Sequence, residues 1–316
     1  MASMRYGVVG GGRVFQRYHL PCVRERDDVS LVAVCDTDPD QARRTLGDGH
    51  PDVLVTDDLT EFLDRGRPDV VAVCTPNDSH TAPTLAALAA GAAVLCEKPL
   101  AATGADAARI AAAAAESRLF GVNLPYRFHP LIPAFVSALP TEPHEVTLTF
   151  TTAGQRLWRP VTRWYSDEGV AGGGALLDLG LHAIDLLTAI FGTAEPAGCQ
   201  LDRPGVEERA VAHLRFGTTP ATLRIDRASR TMAMLVEARG ADGAVALDLR
   251  RGEVHTADGT ITAEPGHRPE LAAIDAFLDA ATGRGGAVVG AADALAHQSL
   301  VTRLYEQASV EPEPVS

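Results

Sequence analysis

The 316-residue sequence predicts an α/β chain: an N-terminal doubly wound parallel sheet, then an α+β domain built on a mostly antiparallel sheet. Two textures predict it. Up to about Leu124, short Val- and Ala-rich runs without polar alternation take turns with helix patterns, as strands buried on both faces of a parallel sheet do. Beyond Leu124 the strand-like runs alternate apolar and polar residues with period two, as a sheet with one packed face does. The expected domains are therefore residues 1–124 and 125–316.

In chain order, "RYGVVG" is a buried strand followed by glycines, and helix signals run from Arg13 to about Glu25. "VSLVAVCD" (Val29 to Asp36) is the second strand. "PDQARRTL" is a helix with Asp38 as N-cap and Pro39 at its first position. "DVLV", "LTEFLDR" and "DVVAVCTP" read as strand, helix and strand. Gly91 closes the helix "SHTAPTLAALAAG", "AAVLCE" is the fifth strand, Thr103 opens "TGADAARIAAAAAES", and "LFGVNL" is the sixth strand-like run. In the second half, "PYRFHPLIPAFVSAL" is expected as a helix opened by prolines and "EVTLTFTTA" as a strand. A helix follows from about Ala175 to Phe191, then strands at "AVAHLRF", "ATLRID", "AMLVEARG" and "GAVALDL". "LAAIDAFLDAATG" and "AADALAHQSLVTRLYEQA" are closing amphipathic helices.

Composition narrows the function. A net charge of −13 argues against a phosphate-binding face for nucleic acid. Cys22, Cys35, Cys74, Cys96 and Cys199 show no C-x-x-C spacing and read as reduced core thiols of a cytoplasmic protein. A membrane span needs about twenty apolar residues, and no stretch offers that without a charge or a breaker. Met1 to Arg5 leads straight into a strand, so no signal peptide is expected.

The first chemical motif is "GVVGGGRVF", Gly10-x-Gly12-x-x-Phe15. The first glycine makes a tight turn; the second lets a pyrophosphate approach the N-terminus of the following helix, where free N–H groups and the dipole favour anions. Arg13 and Val14 open that helix. Asp36 ends the next strand, where a carboxylate can accept both ribose hydroxyls and would repel a 2′-phosphate. Strand, glycine turn, helix and strand-end acid together predict a Rossmann dinucleotide site that favours NAD. Arg43 and Arg44 in the next helix keep NADP open. Thr75, Pro76 and Asn77 form a strand-end turn that can lie against the dinucleotide, with Asp78 or Ser79 as a helix cap and His80 beyond.

"GAAVLCEKPLAAT" puts Glu97, Lys98 and Pro99 at the end of the fifth strand, a usual ligand position in an open α/β sheet. "GGGALLDLGLHAIDLL" puts three glycines before a helix carrying Asp178, His182 and Asp185. The spacing i, i+4, i+7 places all three on one face of a largely apolar helix. Such a stripe is either a hydrogen-bonded structural network or an acid/base site.

Together the glycine turn, "TPNDSH", Glu97-Lys98-Pro99, "NLPYRF" and "GGGALLDLGLHAID" resemble the Gfo/Idh/MocA oxidoreductases, the family of glucose-fructose oxidoreductase and the inositol dehydrogenases. The resemblance covers nearly the whole chain. It implies that Lys98, Asp178 and His182 line the site beside the nicotinamide. His182 is then the base for oxidation and the acid for reduction, Asp178 its partner, and Lys98 the group that stabilises developing alkoxide. Glu97 either bonds the nicotinamide ribose or orients Lys98, and the Lys98–Pro99 bond is cis or trans. No His/Cys spacing asks for a metal. Tyr126, Arg127, Trp158, Arg159, Arg163 and Trp164 are substrate-side candidates, since sugars use aromatic faces and polar groups and Arg can hold a phosphate. The expected activity is hydride transfer with a secondary alcohol or ketone of a sugar or cyclitol. A redox-cycling lyase or hydrolase that retains its NAD, and a non-catalytic cofactor-binding regulator, are the alternatives. An open antiparallel sheet face predicts a homo-oligomer, dimer or tetramer.

Overall fold

The first six strand-like runs form one six-stranded sheet in the order β3-β2-β1-β4-β5-β6. The structure is a computed structural model and describes residues 3–153 and 164–311. β1 (Met4–Val9), β2 (Val29–Cys35), β3 (Leu54–Thr56), β4 (Val70–Val73), β5 (Ala93–Cys96) and β6 (Phe120–Val122) are all parallel. Between them lie α1 (Leu20–Arg24), α2 (Pro39–Leu46), α3 (Leu59–Gly66), α4 (Thr81–Ala89) and α5 (Gly104–Ala115). Both faces are covered, which is why these strands carry no polar alternation. On one, Tyr6 and Val8 meet Phe15, Leu20, Ala42 and Leu46. On the other, α3 comes so close that a Cβ on Gly7 would lie 2.6 Å from the Phe62 ring. Asp38, Asp58 and Thr103 cap α2, α3 and α5 through their side chains.

The chain divides into two compact units. The first holds the described residues of Met1–Leu124, Pro160–Gly172 and Glu270–Leu295, and the second those of Pro125–Arg159, Gly173–Pro269 and Ala296–Ser316. The helix Pro269–Ala281, which lies beyond the expected boundary after Leu124, places Leu271, Ile274, Phe277 and Leu278 in the core of the parallel sheet.

The second unit is built on a nine-stranded sheet in the order β14-β13-β12-β11-β7-β10-β9-β8-β15. The expected strands are β7 (Pro143–Thr151), β9 (Arg209–Phe216), β10 (Thr219–Asp226), β11 (Ala233–Gly240) and β12 (Gly243–Asp248). Their buried residues alternate, as Val146, Leu148 and Phe150 do along β7. Pairing is antiparallel except for β7 with β10 and β8 with β15. Four strands were not expected: β8 (Ala194–Leu201), β13 (Glu253–Thr256), β14 (Gly259–Thr262) and β15 (Ala308–Val310). β8 hides its period because Pro196 and Gly198 flank a register shift.

Three helix expectations change. The segment after Arg13 begins with a π turn, Phe15–His19, before α1. The proline-opened helix becomes a 3-10 turn, Tyr126–Phe128, and a short α6 (Ile132–Ser137). The long helix begins with a π turn, Leu176–Gly180, and continues as α-helix over Leu181–Phe191. Among the described residues, only the helical stretch Glu168–Phe191 is long and apolar enough to cross a membrane; glycines 172–174 interrupt it, and most of its apolar side chains are buried in the protein.

Candidate active site

The glycine turn in the first unit has a separate reason at each position. Gly10 has φ +98°, and a Cβ there would stand 2.6 Å from the Cys74 carbonyl carbon, so no other residue fits. The Gly11 N–H donates to Asp36 Oδ2 at 2.6 Å. A Cβ on Gly12 would meet nothing within 4 Å, so that position faces open space where a ligand can approach. Phe15, at the usual small third position, is fully buried in the core. Val14 also packs against that core. Arg13 is exposed and bonds Gln16. Asp36 thus stands beside the turn, its second oxygen accepting from Asp38 N at 2.8 Å. Arg43 and Arg44 are paired with Asp40 and Asp38 on the surface of α2.

At the ends of β4 and β5, Thr75 Oγ1 is buried with no hydrogen-bond partner among the described residues. This orphan hydroxyl, the open Gly12 and the Asp36 carboxylate fit a dinucleotide. Two residues of the strand-end motif already have protein partners. His80 is buried, with Nδ1 2.8 Å from the Pro99 carbonyl and Nε2 3.0 Å from the Thr75 carbonyl, so it ties the two strand-end turns together. Burial lowers its pKa against the pull of those carbonyls. The Asn77 Nδ2 donates to the Ala171 carbonyl at 2.8 Å. Pro76 is half-buried beside them.

Glu97 is buried, and its Oε1 accepts from His19 Nε2 at 3.1 Å and from Asn123 Nδ2 at 2.7 Å. The Tyr6 hydroxyl lies 2.7 Å from the other nitrogen of His19. Burial works to raise the Glu97 pKa, but the His19 and Asn123 bonds and the neighbouring Lys98 charge hold it below the usual range. Sequence reading missed His19 and Asn123; the available signal was a histidine among apolar residues of a helix and an amide directly after a buried strand. His19, Cys74 and Glu97 present donor atoms within 4.8 Å of one another. His19 and Glu97 are closed on each other at hydrogen-bond length, and burial pushes the Cys74 thiol well up, which disfavours a thiolate ligand. Lys98 is half-buried, and the Lys98–Pro99 bond is cis.

In the second unit, Asp178 lies within the π turn and His182 at the start of the α-helix, both half-buried. The Tyr126 ring stands edge-on to the His182 ring, 5.2 Å between centroids, and Phe150 lies 6.4 Å away. Phe150 was not read from the sequence because it appears there as one apolar step of a strand. The three-residue polar stripe divides. Asp185 is buried and held by Arg127, whose Nε and Nη2 lie 3.0 and 2.5 Å from its two oxygens. Arg127, expected on the substrate side, turns its fork onto this buried carboxylate. Trp164 is half-buried and stacked on Tyr165, 3.8 Å between centroids. Trp158, Arg159 and Arg163 lie outside the described residues.

A parallel sheet whose glycine turn and strand-end acid suit a dinucleotide, with a second sheet-based unit, defines a Rossmann-type dinucleotide-binding protein. Residues 4–123 match the model of the oxidoreductase family with an NAD-binding Rossmann fold, and residues 142–262 match the GFO/IDH/MocA C-terminal domain. The chain belongs to the Gfo/Idh/MocA oxidoreductase family. It is 34% identical over 196 residues to D-glucoside 3-dehydrogenase of Escherichia coli, an alignment spanning 60% of this chain and 55% of that one. The chain thus spans about half the length of the first curated relatives it matches. Among solved structures, GenD2 from gentamicin A biosynthesis in complex with NAD is 25% identical with a TM-score of 0.82, covering 97% of this chain and 94% of its own. A Tyr-to-Phe mutant of KijD10, a 3-ketoreductase from Actinomadura kijaniata in complex with TDP-benzene and NADP, shares the fold at 23% identity, with a TM-score of 0.83 and 98% of each chain covered.

Proposed function

We propose that the chain is an NAD(H)-dependent oxidoreductase that moves a hydride to or from a secondary alcohol or ketone carbon of a sugar, sugar derivative or cyclitol. The observation that carries the reading is the half-buried His182 imidazole, held edge-on by Tyr126 four residues after Asp178 on the glycine-entered helix. An alcohol hydroxyl is a very weak acid, so its oxidation needs a positioned base. His182 takes the hydroxyl proton on a ring nitrogen and returns it to the ketone oxygen in reduction. Asp178 favours the imidazolium and its orientation. The Lys98 ammonium stabilises negative charge as it develops on the substrate oxygen. Tyr126 and Trp164 offer aromatic faces to the substrate ring. NAD, when bound, supplies the hydride acceptor; the glycine turn holds its pyrophosphate and Asp36 its adenosine ribose. The sugar dehydrogenase relative supports the substrate class.

Absorbance near 340 nm, read on the full chain with NAD and a panel of sugars, sugar phosphates and cyclitols, tests the reading. NADH formation with one panel member is the expected result. Cofactor that copurifies without net turnover would instead favour the redox-cycling alternative, and binding without either would favour a regulator.

Asp36 decides the cofactor. Asp36→Ala is expected to weaken NAD binding while leaving NADP binding much less affected, because only NAD presents a free 2′-hydroxyl to the carboxylate. Dissociation constants for both dinucleotides from intrinsic fluorescence check this; an unchanged ratio between them would remove Asp36 from the ribose site. The reading also includes a cytoplasmic setting, supported by five buried free cysteines. Self-association as a dimer or tetramer through the solvated face of the nine-stranded sheet completes it, with no nucleic-acid or membrane partner.

A further inference from the structure

The glycines at 172–174 leave the helix behind them with no local side chain to cap it, and a helix begins with four N–H groups that have no intrahelical acceptor. Here Asp178 N makes the first such bond, to the Gly174 carbonyl at 2.9 Å. The four N–H groups before it all go to two distant residues. Gly174 N and Leu177 N each donate to the Tyr305 hydroxyl at 3.2 Å. Ala175 N donates to the Glu207 carbonyl at 2.8 Å, and Leu176 N to Glu207 Oε1 at 2.7 Å. The Tyr305 hydroxyl closes the set by donating to the same Oε1 at 2.9 Å.

The approach is too close for side chains at the entry. A Cβ on Gly173 would lie 2.7 Å from the Tyr305 hydroxyl, and one on Gly174 would lie 2.2 Å from the Glu207 carbonyl oxygen. Glu207 is fully buried. Burial raises its pKa, while the Leu176 and Tyr305 bonds pull it down. A carboxyl placed there at that cost is occupied with one task, the start of this helix.

We propose that Glu207 and Tyr305 are positioning residues: they fix the entry of the π turn Leu176–Gly180 and so aim Asp178 and His182. The inference rests on the reading of those two residues as an acid/base pair. Asp178 follows the last capped N–H directly, and His182 is four residues further on, so a loosened entry displaces both.

Tyr305→Phe keeps the ring and removes the hydroxyl that joins three of the bonds. Two measurements need no substrate. In wild-type protein, hydrogen exchange at the Leu176 and Leu177 amides is expected to be as slow as in the core strands of the same unit; exchange at the rate of a fraying terminus overturns the proposal. In carbon-13-labelled full-length chain, the His182 Cε1–H signal, identified by its loss in His182→Gln, is expected to move in Tyr305→Phe. It should stay near its wild-type place in Glu207→Gln, whose amide oxygen can still accept both bonds. With the panel sugar that is turned over, Tyr305→Phe is expected to lower kcat roughly 10- to 100-fold with the KM for NAD unchanged. A folded Tyr305→Phe with wild-type His182 signal and wild-type kcat overturns the proposal. Absence of turnover with every panel member, alongside the expected exchange and His182 results, would count against the sugar oxidoreductase reading and leave the positioning role standing.

Discussion

His182→Ala and Lys98→Ala are each expected to lower kcat by about 10²-fold or more while leaving NAD binding near wild type. His182 is the proposed proton-transfer group and Lys98 the proposed stabiliser of oxyanion charge, and neither role is needed to hold the dinucleotide. Steady-state kinetics on the sugar found by the panel, with NADH dissociation constants measured in parallel, separate chemistry from binding. The double variant adds a further check. Two groups serving one proton-transfer step give losses that do not add. Near-wild-type turnover in either single variant would remove that residue from the acid/base set. An equal fall in kcat and in NADH affinity would point instead to a damaged cofactor site.

The second large effect is on stability. Arg127→Ala is expected to destabilise the fold by about 3–5 kcal/mol, because it leaves a buried carboxylate without its partner. Asp185 is 1% exposed at its side chain and Arg127 21%, so solvent replaces little of what is lost. His297 Nδ1, 3.7 Å from Asp185 Oδ1, offers partial relief. Arg127→Met with Asp185→Leu replaces the pair by apolar groups of similar volume and is expected to recover most of the loss. Urea unfolding midpoints and slopes measure both. A single variant of unchanged midpoint but raised substrate KM would return Arg127 to the substrate role first read from the sequence.

That pair shows where sequence reading stops. Asp178, His182 and Asp185 have the same helical spacing and invite one role, yet Asp185 meets an arginine that is 58 residues away along the chain. His80 likewise sits in a motif that suggests a ligand, and its ring is consumed by the carbonyls of Thr75 and Pro99. Which buried polar group finds which acceptor is a matter of topology, and spacing within one element carries no information about it.

Local burial, by contrast, is written along the chain. Short Val-rich runs without alternation, bounded by turn residues, read as strands covered on both faces, and the glycine turn is tight as expected, with Gly10 at φ +98° against the Cys74 backbone. Those features and the acid at the end of β2 were legible because each depends on residues within one strand–turn–helix–strand unit. Tertiary structure alone decided that 270–295 returns to the first unit and that Pro196 and Gly198 still permit a strand. It also decided that Glu207 and Tyr305 cap a helix whose own entry is glycine. In each case the deciding partner is remote in sequence, and a hydrogen bond or a packed ring depends on position in space, which periodicity along one segment does not encode.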